Sequence, residues 1–248
     1  MPYRSLDLAE AAAYLHLTQE EVELLVRSSD IPHIKRGGRV MFLRGPLDEW
    51  ASRRILGLTP KNLVDYHRKS TAASQDFLES DALIPALLKP ERIEPNLTSK
   101  TKKSTLRDMV AVADRTGAVL DSSALQASLE EREELCSTAL PGGLALLHSR
   151  HHQEFLFDGS FLVLGRTLQP IHFGSPDGTP TRLFFMVCCH DERLHLHTLA
   201  RLCLILQKQD VLDRLLSLPD QETIYQELVS AEQAALAGKK PSSEVDRS

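Results

Sequence analysis

The stretch that most constrains this chain is Cys136-Ser-Thr-Ala-Leu-Pro-Gly-Gly-Leu-Ala-Leu-Leu-His148-Ser-Arg150. Pro141, Gly142 and Gly143 punctuate it as a turn. The bounded apolar run Leu144 to Leu147 suits a short buried strand. His148 then falls where that strand emerges, and a rigid strand end fixes a side chain well enough for chemistry. An unperturbed imidazole, with a pKa of about 6.5, is largely neutral at pH 7 and keeps one lone pair free. That nitrogen can accept a phosphoryl group. Such a transfer needs in-line positioning and donors for the phosphoryl oxygens. Arg132, Ser137, Thr138, the turn amides and a second histidine are the candidate donors. Spacing alone does not separate this reading from a structural or solvated histidine.

The wider pattern does. Arg132-Glu-Glu-Leu-Cys-Ser137-Thr138, followed by Gly143-Leu-Ala-Leu-Leu-His148, resembles the active-site segment of enzyme IIA domains of the fructose–mannitol class. Those domains belong to the bacterial phosphoenolpyruvate-dependent sugar phosphotransferase system and include its nitrogen-regulatory branch. Their segment reads R-E-x-x-x-S-T, a glycine-rich turn, then G-I-A-[IV]-P-H, ending in the phosphorylated histidine. The resemblance puts that role on His148. His195-Leu-His-Thr-Leu-Ala-Arg-Leu202 resembles the family's helix start H-[LI]-x-x-[LI], whose first histidine faces the phosphorylated one, and so points to His195. Pro170-Ile-His-Phe173, Asp177-Gly178, Leu183-Phe-Phe-Met-Val-Cys188, Leu87-Leu-Lys-Pro-Glu-Arg-Ile93 and Asn96-Leu97 match further family segments in order. The resemblance runs from about Asp81 to Val229. It implies a phosphoryl group delivered by the histidine phosphocarrier protein of that system, with Arg132 meeting the carrier or the phosphate and no cofactor. One departure is Leu147, where the family has proline. Proline fixes a dihedral and removes a donor, and leucine frees both. The turn Ala139-Leu140-Pro141-Gly142 also differs from the family's usual glycines.

Upstream lies a second pattern. Asp7 is a plausible cap for a helix from Leu8 to Leu15, with Leu8, Ala11, Ala12 and Leu15 on one face. Thr18 and Glu21 form a capping box for a second helix, which turns Val22, Leu25 and Val26 inward. Ile34 to Leu43 reads as a hairpin around Gly37-Gly38, and Pro46 opens a third helix. Glu10-Ala-Ala-x-Tyr-Leu15, Ile31-Pro32, Arg36-Gly-Gly-Arg39 and Leu47-Asp-Glu-Trp50 resemble excisionase-type, MerR-related winged helix-turn-helix domains. That resemblance implies groove-facing Gln19, Glu20, Glu23 and Arg27, with wing contacts to phosphates from Lys35, Arg36 and Arg39. The charge pattern departs from it. Glu20, Glu21 and Glu23 crowd the would-be recognition helix, whereas affinity for DNA rests on Lys and Arg neutralising phosphates. A retained fold that binds another protein is the competing expectation.

The expected architecture is α/β: a small winged helix-turn-helix domain over residues 1–58, a linker over 59–80 with some helix, a mixed-sheet enzyme-IIA-like domain over 81–232, and a disordered polar tail over 233–248. Within the larger domain, Ser104 and Asp121 are expected caps of helices, and Phe155–Leu164 and Arg182–Cys189 are expected strands, with Asp158-Gly159 turning the first into a hairpin. His195 opens a helix, Asp210 and Asp220 cap two more, and His197 is expected at the surface. His151-His152 adds histidines near His148, but no carboxylate or cysteine converges with them in sequence, so no metal site is expected. Four cysteines without zinc spacing or a disulfide framework read as reduced packing residues of a cytoplasmic protein. No window of about 18 apolar residues offers a membrane span. At a net charge of −5 there is no global electrostatic case for nucleic acid. The function expected is a phosphotransferase-system regulatory protein whose phosphohistidine modulates DNA binding or a target protein. The alternative is a non-catalytic interaction module with a degenerate site.

Overall fold

The computed structural model describes residues 5–74, 82–149 and 156–237. The expected polar stretch 75–80, the His151-His152 pair, Phe155 and residues 238–248 lie outside them. The N-terminal module begins with helices α1 (Leu8–Leu15) and α2 (Gln19–Arg27), each opened by a full capping box, Asp7 with Glu10 and Thr18 with Glu21. His16, left-handed at φ 53°, makes the tight turn between them. Strands β2 (Ile34–Arg36) and β3 (Arg39–Leu43) form the hairpin, and β1 (Ser5–Leu6) pairs with the other edge of β3. Gly37 and Gly38 both take positive φ in that turn, a conformation glycine adopts without strain. Helix α3 runs Arg44–Leu56, two residues ahead of the Pro46 start expected.

Residues 60–74, within the expected linker, form helix α4 (Pro60–Ser74). Leu63, His67 and Ser70 on it are fully buried. Their spacing of three and four residues is a helical face, which sequence reading passes over because two of the three are polar.

The larger unit is built on a five-stranded sheet of order β4-β7-β8-β6-β5. Its strands are β4 (Ile93–Leu97), β5 (Ala139–Leu140), β6 (Leu144–His148), β7 (Phe161–Ile171) and β8 (Thr181–Cys188). β4 runs parallel to β7 and β6 parallel to β8, while β7–β8 and β5–β6 are antiparallel. Alternation along the strands divides the core into two layers. Leu144, Leu146, Leu162, Leu164, Phe185 and Val187 face one way; Ala145, Leu147, Val163, Phe184 and Met186 face the other. The second layer is closed by α6 (Lys102–Asp114) and α7 (Ser122–Leu135). The first is closed by α8 (Glu192–Leu206), α9 (Gln209–Ser217) and α10 (Gln221–Ala237), with the short α5 (Leu83–Leu87) alongside.

Several boundaries differ from expectation. β7 starts at Phe161 and runs to Ile171, because Asp158-Gly159 turns the chain before the strand rather than within it. Thr101 is the cap of α6, and Ser104 is its reciprocal partner in a capping box. Asp191 caps α8, so His195 sits in its first turn rather than opening it. α9 begins after Lys208, and Asp210 lies in its first turn. α10 continues through Ala237, into the segment expected as a tail. Among the described residues no helix is long and apolar enough to cross a membrane.

Candidate phosphoacceptor site

The alternation that builds the core also aims His148. It shares its face with Leu144 and Leu146, which is the α8 side of the sheet. His195, in the first turn of α8, brings its ring to 5.3 Å from the His148 ring, centroid to centroid. Arg132, from the last turn of α7, reaches the same imidazole: its Nε donates to His148 Nε2 at 3.1 Å, and its Nη1 donates to the Cys136 carbonyl at 2.8 Å. The other ring nitrogen, Nδ1, lies 2.9 Å from the Leu146 carbonyl. A carbonyl oxygen cannot donate and a guanidinium cannot accept. Nδ1 therefore carries the proton and Nε2 the lone pair.

Electrostatics agree. His148 is 2% exposed, and its pKa falls from 6.5 to about 3, first because burial disfavours the imidazolium and then because the Arg132 guanidinium repels it. The ring is neutral at physiological pH. Arg132 is itself 2% exposed, and burial lowers its pKa too. The charges of Glu49 and Arg53, on α3 of the N-terminal module, also reach it. Its Nη2 is buried and makes no hydrogen bond among the described residues. An unsatisfied guanidinium N–H beside an unprotonated ring nitrogen is a donor that can meet an anion's oxygen.

Ser137 and Thr138 occupy the turn after α7. Ser137 Oγ donates to the Phe173 carbonyl at 2.9 Å and accepts from Ala139 N at 3.2 Å. Thr138 is 1% exposed, and its hydroxyl donates to Glu133 Oε2 at 2.6 Å. Leu147, in the position of the family's proline, lies inside the parallel ladder in register with Met186. Sequence reading passed over Glu133 and Lys102, which form an ion pair at 2.9 Å beneath this turn. The signal available was the glutamate immediately after Arg132.

His197 is a correction: it is 1% exposed, not at the surface. Two residues turn a helix by about 200°, so His195 and His197 leave α8 on opposite sides. The far side is covered by α4 and, beside it, by the N-terminal module. His197 Nδ1 lies 2.8 Å from Ser70 Oγ, Arg201 Nε donates to His67 Nε2 at 2.5 Å, and His16 Nε2 lies 3.3 Å from the Arg193 carbonyl. Arg201 also pairs with Glu232 at 2.5 Å, both fully buried.

The residues expected on the DNA side are separate from this site. Gln19, Arg27, Lys35, Arg36 and Arg39 are all exposed. Arg27 pairs with Glu23 at 3.1 Å, and Glu21 with Lys69 of α4 at 2.5 Å. A groove of about 830 Å³ opens between the start of α1, α2 and the hairpin, with Asp7, Glu10, Gln19, Glu23, Arg27 and Arg39 on its walls.

Comparison with known proteins agrees with this geometry. The profile of the phosphoenolpyruvate-dependent sugar phosphotransferase system, EIIA 2, matches residues 86–231, and that of a helix-turn-helix domain matches residues 5–55. The nitrogen regulatory protein of Bradyrhizobium diazoefficiens is 34% identical over 145 residues, covering 57% of this chain and 92% of that protein. The fructose-specific EIIABC component of Bacillus subtilis is 28% identical over 143 residues, and there the chain spans only 22% of the relative's length. Among solved structures, nitrogen regulatory protein IIA-Ntr from Neisseria meningitidis superposes with a TM-score of 0.54 at 25% identity, covering 59% of this chain and 99% of that one. IIA mannitol from Escherichia coli shares the fold, with a TM-score of 0.51 at 19% identity over 57% of this chain and 98% of that one. With the fold, the paired histidines and the match over residues 86–231 in agreement, the chain belongs to the phosphotransferase-system EIIA 2 family and carries a helix-turn-helix domain ahead of the family domain.

Proposed function

We propose that this protein is a regulator in a phosphotransferase system: His148 accepts a phosphoryl group from the histidine phosphocarrier protein, and its phosphorylation state sets what the N-terminal module binds, DNA or a target protein. The observation that carries the reading is the directed imidazole. Nε2 of His148 is unprotonated by its surroundings and faced by Arg132, with His195 alongside. In the transfer, the Nε2 lone pair attacks phosphorus, the P–N bond to the carrier's histidine breaks, and the proton stays on Nδ1, still donated to the Leu146 carbonyl. Arg132 gives up Nε2 as the new P–N bond forms, and its guanidinium meets the phosphoryl oxygens. Ser137 and Thr138 shape the turn beside them. A phosphoryl group adds about −1.5 to −2 charges. The fields of Glu49 and Arg53 at Arg132, and the packing of α3 and α4 on α8, support a route from that charge to the N-terminal module.

A second reading is favoured by one observation: at 2% exposure and capped by Arg132, His148 is closed to a partner in this conformation. A domain that keeps the fold and binds a partner without phosphorylation fits that state. Incubation with phosphoenolpyruvate, enzyme I and the carrier protein, followed by intact mass, separates the two. The expected result is one acid-labile phosphate on the wild type and none on His148→Ala. An unlabelled wild type favours the second reading, and a labelled His148→Ala moves the acceptor elsewhere.

A further inference from the structure

The last turn of α7 places two adjacent residues in service of one imidazole. Arg132 addresses Nε2 directly. The opposite nitrogen is governed at longer range. Glu133 is 5% exposed, and its two carboxylate oxygens each accept from Thr138 N at 3.1 Å, while Oε2 also accepts from Thr138 Oγ1 at 2.6 Å. Lys102 Nζ, 2.9 Å from Oε1, supplies the countercharge. The Thr138 carbonyl accepts from Leu146 N at 3.1 Å, and the Leu146 carbonyl lies 2.9 Å from His148 Nδ1.

Besides the bond from Leu146 N to its carbonyl, Thr138 is held by its own hydrogen bonds to Glu133. Strand β5 is two residues long and begins only at Ala139. α7 has ended at Cys136, whose backbone is extended. A chain leaving a helix without a ladder keeps its register through side-chain hydrogen bonds. Here the side chain is Glu133, bound to both the amide and the hydroxyl of Thr138.

We propose that Glu133 is a positioning residue for the phosphoacceptor: by clamping Thr138 it fixes Leu146, whose carbonyl holds His148 as the Nδ1–H tautomer with Nε2 free. The inference rests on the reading of His148 as the acceptor, since the tautomer matters only to a nucleophile. Its importance follows from the order of events. At rest, Arg132 Nε–H also enforces an unprotonated Nε2. As phosphorus approaches Nε2, the guanidinium must leave that atom. From then on the Leu146 carbonyl directs the ring proton; the ladder to β8 holds its strand, and the Glu133 clamp sets the Thr138 carbonyl that meets the Leu146 amide on the strand's other edge. A positioned outer partner that fixes a histidine tautomer is a recurrent device wherever one ring nitrogen does chemistry.

The test reads the tautomer in the full chain carrying Arg132→Ala and labelled with ¹⁵N-histidine, where the guanidinium no longer directs the ring proton, by long-range ¹H–¹⁵N correlation of the His148 ring, assigned with His148→Gln; transfer rates are read with Arg132 present. With Glu133 intact, that chain is expected to show the Nδ1–H tautomer alone. Adding Glu133→Ala should show both tautomers, and with Arg132 present the phosphorylation of Glu133→Ala by the carrier should slow by about tenfold, which is about one power of ten in rate for a modest loss of transition-state stabilisation. The KM for the carrier should not change. Glu133→Gln keeps an acceptor for Thr138 N and should fall between them. A pure Nδ1–H ring together with a wild-type rate in Glu133→Ala overturns the proposal. Should Glu133→Ala not fold, Thr138→Val carries the same test, since it deletes the hydroxyl and keeps the amide; mixed tautomers support the clamp, and a single tautomer at the wild-type rate overturns it. The spectrum needs no phosphoryl donor. If the wild type takes up no phosphate while Glu133→Ala mixes tautomers, the acceptor reading fails and the clamp stands.

Discussion

At the scale of single residues, the site depends on a histidine kept neutral by its surroundings. Burial and Arg132 lower the His148 pKa from 6.5 to about 3. Protonation therefore favours the unfolded chain, where the ring titrates normally. The stability His148 contributes is complete above pH 6.5 and is lost as the pH falls from there toward 3. Between pH 6.5 and 5 that amounts to about 2 kcal/mol at about 1.4 kcal/mol per pH unit for one proton. Urea unfolding at pH 7 and pH 5 should show that loss in the wild type and a smaller one in His148→Gln. Equal losses in the two proteins would place the acid sensitivity elsewhere. Leu147 packs on the α6–α7 side of the sheet while its neighbour His148 emerges on the other.

At the scale of elements, α8 is the piece that connects the most. One side gives His195 to the His148 ring, and the other gives His197 and Arg201 to α4. His195→Ala should fold and should lower the rate of phosphoryl transfer on the order of 10²-fold, the usual effect of removing one donor from a developing anion. Stopped-flow or quenched-flow transfer from the phosphorylated carrier measures it, and a wild-type rate would leave His195 a packing residue. The elements also show what a sequence reveals. The cap at Asp7, the capping box at Thr18 and the Gly37-Gly38 hairpin were legible, because each rests on neighbours in the chain. So were the strand Leu144–His148 and the histidine at its end. The burial of His67, Ser70 and His197 was not legible. Polar residues at helical spacing look solvated until partners distant in the chain satisfy them. The Glu133–Thr138 clamp was hidden for a related reason: a glutamate late in a helix reads as an exposed charge, and only the turn that folds back under it makes it a ligand for an amide.

At the scale of the whole molecule, the N-terminal module carries an ambiguous surface. Lys35, Arg36 and Arg39 are exposed on the hairpin, while Glu20 and Glu23 are exposed on α2, where Glu23 also holds Arg27. A protein that neutralises few phosphates has weak affinity and a shallow salt slope, since each contributes only about −0.9 to the slope of log affinity against log salt. Residues 1–58 alone should therefore show little sequence-specific binding, and specific binding by the full chain should require two copies on a palindromic site, as in other helix-turn-helix dimers. Fluorescence anisotropy at near-physiological salt, with the stoichiometry of any complex, checks both. Tight, specific binding by the isolated module as a monomer would mean that the glutamates oppose DNA less than their charge suggests.

The apolar core carries its own consequence. It runs without a break from Leu15 and Val22 through Leu63 and Leu199 to Leu228. The helix-turn-helix domain is thus not a bead on a string. Its orientation is inherited from α8, so the geometry of any site it would bind, and the spacing between two such sites, is dictated by the shape of the EIIA-like domain. To swing away together with α4, it would have to uncover Leu63 and the buried Arg201–Glu232 pair. Releasing that module with α4 is therefore a local unfolding event, with a free-energy cost set by the surface it uncovers.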